Sequence, residues 1–281
     1  VEFETLWHLA WGKSIDASKA GLQATLLIRH PANGRLIVNF DKEILLLIRE
    51  TKCLLRMGVK VPESARNVVL QEDKFKSFYN RLSFGIRQLE HVLSRMLPIT
   101  QSLLRPHVRD IEERLRPGFS TLSWTSMNID AFLHSMYNGV DALEDLAGKV
   151  KDCVDNRIER NLKIVSNMKL VDLPTDDILA LDKFCAVQEK MVKSQLGVIA
   201  AKNEEVEEAV GDLLELIASF PLRSGPAGRR VAEEQKLKDH YSRMFYRAVL
   251  NATKHSLKQF TSRMGSKASG GFLFVDRPIF D

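Results

Sequence analysis

Apolar residues recur along much of this chain at alternating spacings of four and three positions, and three long stretches follow this rule. The first seam is Phe75, Tyr79, Leu82, Ile86, Leu89, Leu93 and Met96; the second is Ile129, Leu133, Met136, Val140, Leu143, Ala147, Val150 and Val154; the third is Val192, Leu196, Ile199, Asn203, Val206, Val210, Leu213 and Ile217. A repeat of about 3.5 residues keeps one stripe of an α-helix facing a neighbouring helix. The pattern therefore predicts long helices that pack side by side.

Proline and glycine interrupt the chain at Pro98, Pro117–Gly118, Pro174 and Pro221. Short breaks of this kind allow successive helices to fold back on each other, so we expect an antiparallel bundle within the chain rather than an extended coil of two chains. Asn203 occupies an apolar position of the third seam. It either fixes the register of packing or marks a place where the seam is open to solvent.

The N-terminal part predicts a β-hairpin insertion over about residues 22–40. Two short apolar runs, Leu26–Arg29 and Leu36–Asp41, flank Asn33–Gly34, which suits the positive-φ positions of a tight turn. We expect Phe40 to be buried where the hairpin meets the next helix.

The hairpin leads into an amphipathic helix that contains the run Ile44–Glu50. Asn39 or Asp41 is the predicted N-cap of this helix, because short polar side chains accept hydrogen bonds from first-turn amides. Gly58 suits the left-handed position after its last turn, with Pro62 beyond.

The C-terminal part begins with a Gly- and Pro-rich linker, Arg223–Arg230. The apolar positions Leu237, Tyr241, Phe245, Ala248 and Ala252 then predict a basic amphipathic helix. A flexible stretch, Ser262–Gly271, and a terminal strand over 272–280 follow.

The predicted fold is mainly α: elongated antiparallel helical bundles with a small β-hairpin insertion and a C-terminal strand. We expect three regions: a helical bundle with the hairpin over 1–98, a long-helix bundle over 99–221, and the basic linker, helix and strand over 222–281. Because the chain begins at Val1 and ends in strand-like residues, we also expect it to be a segment of a longer polypeptide.

Charge is distributed unevenly along the chain. Eleven Lys and Arg residues and three acidic residues lie between Arg223 and Lys267, a net charge of +8, so the remainder carries −3 of the total of +5. We call Arg223–Lys267 the basic arm. The three cysteines, Cys53, Cys153 and Cys185, are far apart, which favours reduced thiols over a disulfide framework or a zinc site.

No pattern of catalytic residues is evident. The sequence Gly265–Ser266–Lys267 lacks the spacing of a phosphate-binding loop. The seven histidines have no metal-ligand spacing, and the pairs Glu112–Glu113 and Glu204–Glu205 are typical of solvated helix faces. We therefore expect no catalysis, cofactor or metal in these residues.

Trp7 and Trp11 are four positions apart and would share one face of a helix. Packing in the core of a first helix is the favoured interpretation, and an anchor for a partner protein is the alternative.

Two sequence patches resemble the tail region of dynein heavy chains. The first is Leu26–Arg29 with Leu36–Asp41 and the helix that ends at Gly58; the second runs from Pro117 through Trp124 to Phe132, where a turn opens a long helix. The closing Pro278–Asp281 resembles the start of a later strand of the tail. The resemblance is greatest to outer-arm axonemal heavy chains.

This resemblance implies a non-catalytic tail segment of an ATP-driven microtubule motor, in which ATP and magnesium belong to a motor domain elsewhere in the parent chain. It implies a scaffold that associates with WD-repeat intermediate chains, light chains and other heavy chains and that docks on the doublet microtubule of the cilium or flagellum. The alternative is a generic helical-bundle scaffold or cytoskeletal tether without a motor. A strand hairpin between helices favours the first interpretation.

The basic arm is the candidate partner surface, and Arg243, Arg247, Lys254 and Lys258 are the candidate contacts. No module for nucleic-acid binding accompanies these charges, and the apolar face is not that of a membrane-surface helix. An acidic protein partner and a solvated helix face are the interpretations left open.

Overall fold

The structure is a computed structural model that describes residues 11–13, 15–16, 19–170, 180–223, 225 and 230–265. Its strands are β1 (Leu27–Arg29) and β2 (Leu36–Val38). Its helices are α1 (Lys42–Arg56), α2 (Glu63–Leu70), α3 (Glu72–Arg95), α4 (Gln101–Ser120), α5 (Ile129–Cys153), α6 (Arg160–Ser166), α7 (Leu181–Ser219) and α8 (Val231–Gly265), with a π-helical turn, Val154–Glu159, between α5 and α6. The mainly α class with a small hairpin is confirmed. The predicted C-terminal strand, Trp7 and most of the Arg223–Arg230 linker lie outside the described residues.

The chain forms two compact units, and each combines ranges that are separate in the sequence. The first unit contains residues 1–96, 105–147 and 222–224, and the second contains 97–104, 148–221 and 225–281. The three consecutive regions expected from the sequence remain a prediction.

The hairpin is antiparallel, with Ile28 opposite Ile37. Its loop is longer than the sequence pattern predicts, because the amide of Gly34 and the carbonyl of His30 close it at 2.8 Å. Gly34 has a positive φ of 67°, but Asn33 does not. The prediction that both turn residues have positive φ is therefore wrong: a four-residue loop needs the left-handed conformation only at its last position. The side chain of Asn33 instead accepts a hydrogen bond from the amide of Arg35 at 3.1 Å.

The start and end of α1 follow the sequence prediction. Of the two candidate N-caps, Asp41 takes the position, and its carboxylate accepts a hydrogen bond from the amide of Glu43 at 3.0 Å. Gly58 follows the last turn with φ 75°, as expected for a residue without a Cβ atom. Pro62 then precedes α2.

Asn39 joins the hairpin to the turn after α4. Its backbone amide donates to the carbonyl of Leu26 at 2.8 Å, and its side-chain amide donates to the carbonyl of Thr25 at 3.0 Å. Its own carbonyl accepts the indole N–H of Trp124 at 2.7 Å. Trp124 is 1% exposed, so this bond satisfies an indole N–H that water does not reach.

The two sequence patches that resemble the dynein tail therefore pack against each other. The amide of Leu26 also donates to the carbonyl of Leu122 at 3.2 Å, and Thr25 pairs with Ser123 in an isolated bridge. The ring of Phe40 meets that of Trp124 edge to face, with centroids 4.7 Å apart. Phe40 itself is half-buried rather than fully buried, because it lies at the rim of this junction.

Helix α3 buries a wider face than its seam predicts. Phe78 and Val92 are buried, whereas Tyr79 is 43% exposed and Leu93 is half-buried. A helix packed on more than one neighbour buries a broad stripe with the α-helical period of about 3.6 residues, and α3 contacts both β2 and residues of α5. The second seam is closer to prediction, with Leu146 buried in place of Ala147.

Helix α4 extends further than expected. Pro117–Gly118 lies inside its last turn and not in a connector. Proline removes the hydrogen bond to the carbonyl of Glu113, but Glu113 is exposed, so water can replace the donor. The connector is the following segment, 121–128.

The second unit packs around the π-helical turn. Arg157 pairs with Asp212 at 2.5 Å, and the thiol of Cys153 donates to the carbonyl of Ala209 at 3.6 Å. Burial raises the pKa of the Cys153 thiol. The turn is thereby held against α7.

Helix α7 is buried along only half of its predicted seam. The later seam positions Val206, Val210, Leu213 and Ile217 are buried, but Val192 and Leu196 are 44% and 59% exposed. The expectation that the third seam faces neighbouring helices therefore holds for its later half, where α6 and α8 pack against it, and not for its first half. Asn203 is half-buried, donates to Glu207 of its own helix at 2.7 Å and lines a cleft of about 320 Å³. This favours the solvent-open interpretation over a register-setting role.

Gly118 lies at a close contact within the first unit, so a substitution there tests how tightly that unit is packed. A Cβ atom there would lie 2.8 Å from Cζ of Phe132 and 3.0 Å from Cδ1 of Leu27. We expect Gly118→Ala to lower the free energy of unfolding by about 1–3 kcal/mol, because the two neighbours must move. The measurement is urea unfolding followed by circular dichroism.

Gly148→Ala is the matched control, since a Cβ atom there meets nothing within 4 Å. It should stabilise the chain by about 0.5–1 kcal/mol, because alanine restricts the unfolded state more than glycine does. Equal effects at the two positions would contradict the packing described for Gly118.

Candidate protein-interaction surface

Helix α8 is anchored by one continuous apolar face. The five positions predicted from the sequence, Leu237, Tyr241, Phe245, Ala248 and Ala252, are all at most 7% exposed. They pack on α6 and α7. The hydroxyl of Ser256 accepts a hydrogen bond from the amide of Leu170 at 3.0 Å. The helix reaches Gly265, so the prediction that a flexible stretch begins at Ser262 is wrong for residues 262–265, and the rest of that stretch lies outside the described residues.

The four predicted contact residues lie on the opposite face of α8. Arg243, Arg247, Lys254 and Lys258 are all exposed, and their spacings of four, seven and four place them within an arc of roughly 60°. The guanidinium of Arg243 donates to the backbone carbonyl of Asp239 at 3.0 Å. As far as the described residues go, none of the four forms an ion pair with a carboxylate. The structure thus presents a row of solvated cations.

The charge of this row affects its neighbour His240. Burial lowers the pKa of His240, and the positive charges of Arg243 and Arg247 lower it further. The imidazole is therefore mainly neutral at pH 7, and the positive charge of the surface comes from Arg and Lys.

Sequence reasoning missed three apolar residues on the outward face. Tyr246, Leu250 and Leu257 are 64%, 38% and 56% exposed, respectively. Their spacings of four and seven match a second helical stripe. The signal was present in the sequence but was hidden by the stronger inner seam of the same helix.

Three other residues considered in the sequence analysis make contacts within the fold. Trp11 is 7% exposed and packs with Ile15, Leu47 and Ala65, which supports the core interpretation over a partner anchor. Glu112 accepts a hydrogen bond from Arg29 at 3.5 Å, and Glu205 pairs with Lys202.

The cysteines and acidic groups are the remaining candidates for catalysis or metal binding. None of the three cysteines is in a disulfide. Among the residues with described positions, no group of three or more His, Cys, Asp or Glu side chains is arranged to hold a metal ion. Over the same ranges, no helix has the length and apolar character needed to cross a membrane.

Comparison with known proteins agrees with the resemblance of the two patches. A family model described as "Dynein heavy chain, N-terminal region 1" matches residues 1–132. The chain is 43% identical over 281 residues, all of its length, to the dynein gamma chain of the flagellar outer arm of Chlamydomonas reinhardtii. It is 34% identical over 234 residues, 83% of its length, to mouse dynein axonemal heavy chain 5.

These relatives are far longer than this chain, which spans 6% of the Chlamydomonas protein and 5% of the mouse protein. A third relative, the 1-alpha heavy chain of the flagellar inner arm I1 complex of Chlamydomonas, is 28% identical over 252 residues, 89% of this chain and 5% of its own length. The similarity extends well beyond residue 132 and includes the helices of the second unit. The chain belongs to the dynein heavy chain family and corresponds to the N-terminal tail region of those proteins.

Proposed function

We propose that this chain is a scaffold segment in the tail of an axonemal outer-arm dynein heavy chain. The observation that carries the proposal is the 43% identity over all 281 residues to a flagellar outer-arm chain. Family membership favours this role over a generic cytoskeletal tether. The axoneme of a cilium or flagellum is the corresponding location.

The scaffold would associate with other dynein heavy chains, with WD-repeat intermediate chains and with light chains, and would contribute to docking on the doublet microtubule. Long helices packed on short connectors suit this role, since they present extended side surfaces. Neither nucleic acid nor membrane is among the proposed partners.

We also propose that the segment is non-catalytic and that ATP hydrolysis belongs to the motor domain of the parent chain. The sequence around Lys267 lacks the glycine spacing with which backbone amides surround a phosphate. Isothermal titration of the purified chain with Mg-ATP should show no binding. Micromolar affinity that is lost in Lys267→Ala would contradict this proposal.

The row of cations on α8 contributes electrostatically to assembly in this proposal. Exposed charges attract an acidic partner over a Debye length of about 8 Å at physiological salt, and they speed association more than they increase final affinity. Each exposed ion pair adds only about 0–1 kcal/mol, so the row acts together with other contacts.

The experiment replaces Arg243, Arg247, Lys254 and Lys258 by Glu in the heavy chain and measures co-assembly with intermediate chain and neighbouring heavy chain. We expect slower association and a loss of complex that is larger at low salt than at high salt. Replacement of Lys183, Lys190, Arg66 and Arg87 by Glu is the control, because it makes the same change of charge at exposed positions elsewhere. Unchanged assembly at both salt concentrations would show that the row on α8 is only a solvated helix face.

A further inference from the structure

Helix α8 carries a second helical seam on its outward face. Tyr246, Leu250, Thr253 and Leu257 follow spacings of four, three and four. At about 100° per residue they occupy an arc of roughly 60°. The hydroxyl of Thr253 donates to the carbonyl of Val249 of the same helix at 3.0 Å, so its hydrogen-bonding need is met within α8.

No described residue of the second unit covers this outer seam. The inner face of α8 is nearly completely buried, whereas Tyr246 and Leu257 are more than half exposed. A contiguous apolar stripe on the surface of a folded chain marks an interaction site more often than an isolated apolar residue does. The stripe spans about 16 Å from Tyr246 to Leu257 at 1.5 Å per residue, which is the length of three helical turns.

The cations border the outer seam along one edge only. Arg247, Lys254 and Lys258 each follow a seam residue directly in the sequence, and Arg243 lies one turn before Tyr246. In coiled coils the positions that flank an apolar seam carry the charges that select the partner helix. Here the flanking charges are positive, and no carboxylate of the described residues neutralises them.

We propose that the outer seam of α8 docks an amphipathic α-helix of another protein, with apolar residues at 4-3 spacing and Glu or Asp along the adjacent edge. A spacing of about 3.5 residues is complementary to another helix, and the one-sided positive edge requires an acidic flank. The inference rests on the proposed scaffold function for its biological setting and adds the class of element that is bound. The surface itself is a property of this chain.

The experiment measures binding of the complete 281-residue chain to a fluorescein-labelled peptide of three heptads by fluorescence anisotropy. The peptide has Leu at the two seam positions of each heptad and Glu at the two flanking positions. A second peptide has Lys in place of each Glu. We expect the Glu peptide to bind and the Lys peptide to bind at least about tenfold more weakly, because charges of the same sign then meet along the edge.

Two double variants test the two components of the surface. Tyr246→Ser with Leu257→Ser should weaken binding of the Glu peptide at least about tenfold, since both substitutions remove apolar surface that the peptide would bury. Arg247→Glu with Lys254→Glu should remove the preference and let the Lys peptide bind more tightly than it binds the unaltered chain, because the row then carries two charges of each sign. This gain of binding requires a folded variant, so it separates recognition from loss of structure.

Matched controls lie on α7. Val192→Ser with Leu196→Ser removes exposed apolar groups, and Lys183→Glu with Lys190→Glu reverses exposed charges. Both should leave the Kd within about twofold, because surface substitutions outside an interface have small effects.

Several results would overturn the inference. These are no binding of the Glu peptide, equal binding of both peptides, or equal losses in the α7 controls. Two others are binding to phosphatidylserine vesicles with the same sensitivity to the α8 variants, and a dimer of the chain that dissociates on Tyr246→Ser with Leu257→Ser. The peptide experiment uses no dynein subunit, so its failure would leave the tail assignment to be decided by co-assembly.

Discussion

The hydrogen bond from the indole of Trp124 to the carbonyl of Asn39 organises the first unit. At 2.7 Å it joins positions 85 residues apart in the sequence, and the indole that donates it is buried. A buried indole N–H left without an acceptor costs about 1–3 kcal/mol. The hairpin, the cap of α1 and the turn before α5 must therefore keep the positions that allow this bond. Two further residues support this junction. The ring of Phe40 packs on Trp124, and Gly118 lets α4 approach β1 closely because it has no Cβ atom.

The second unit depends on a different arrangement. A π-helical turn with Arg157 and Cys153 is held against α7, and α8 is anchored by its inner apolar face. This leaves the outward face of α8 available for recognition, with its cations and its apolar seam side by side. In the proposed scaffold, stability and binding would be separated on one helix, because the residues that anchor α8 and the proposed contact residues lie on opposite faces.

Several features that depend only on residues close together in the sequence were predicted correctly. Gly58, Asp41 and the inner face of α8 were identified because each satisfies a requirement of a single helix. Other features depend on neighbours that are distant in sequence. Phe78 is buried in place of Tyr79 because α3 meets two neighbours, and Val192 is exposed because the packing helices meet only the later half of α7. The pairing of Asn39 with Trp124 gives no periodic signal, although both lie in the patches that resemble the family. The four cations were predicted as candidate partner contacts, but the outer seam beside them was masked by the stronger inner one.

Hydrogen exchange of the backbone amides in Trp124→Phe tests the central role of the junction most directly. The amides of Leu26 and Asn39 donate across the junction and the hairpin, and both should lose protection together with first-turn amides of α1. Trp11→Phe, in the separate cluster with Ile15, Leu47 and Ala65, is the control and should leave the amides of Leu26 and Asn39 protected. Unchanged protection at Leu26 and Asn39 in Trp124→Phe would contradict the account, because the hairpin would then be held in place without the Trp124 bond.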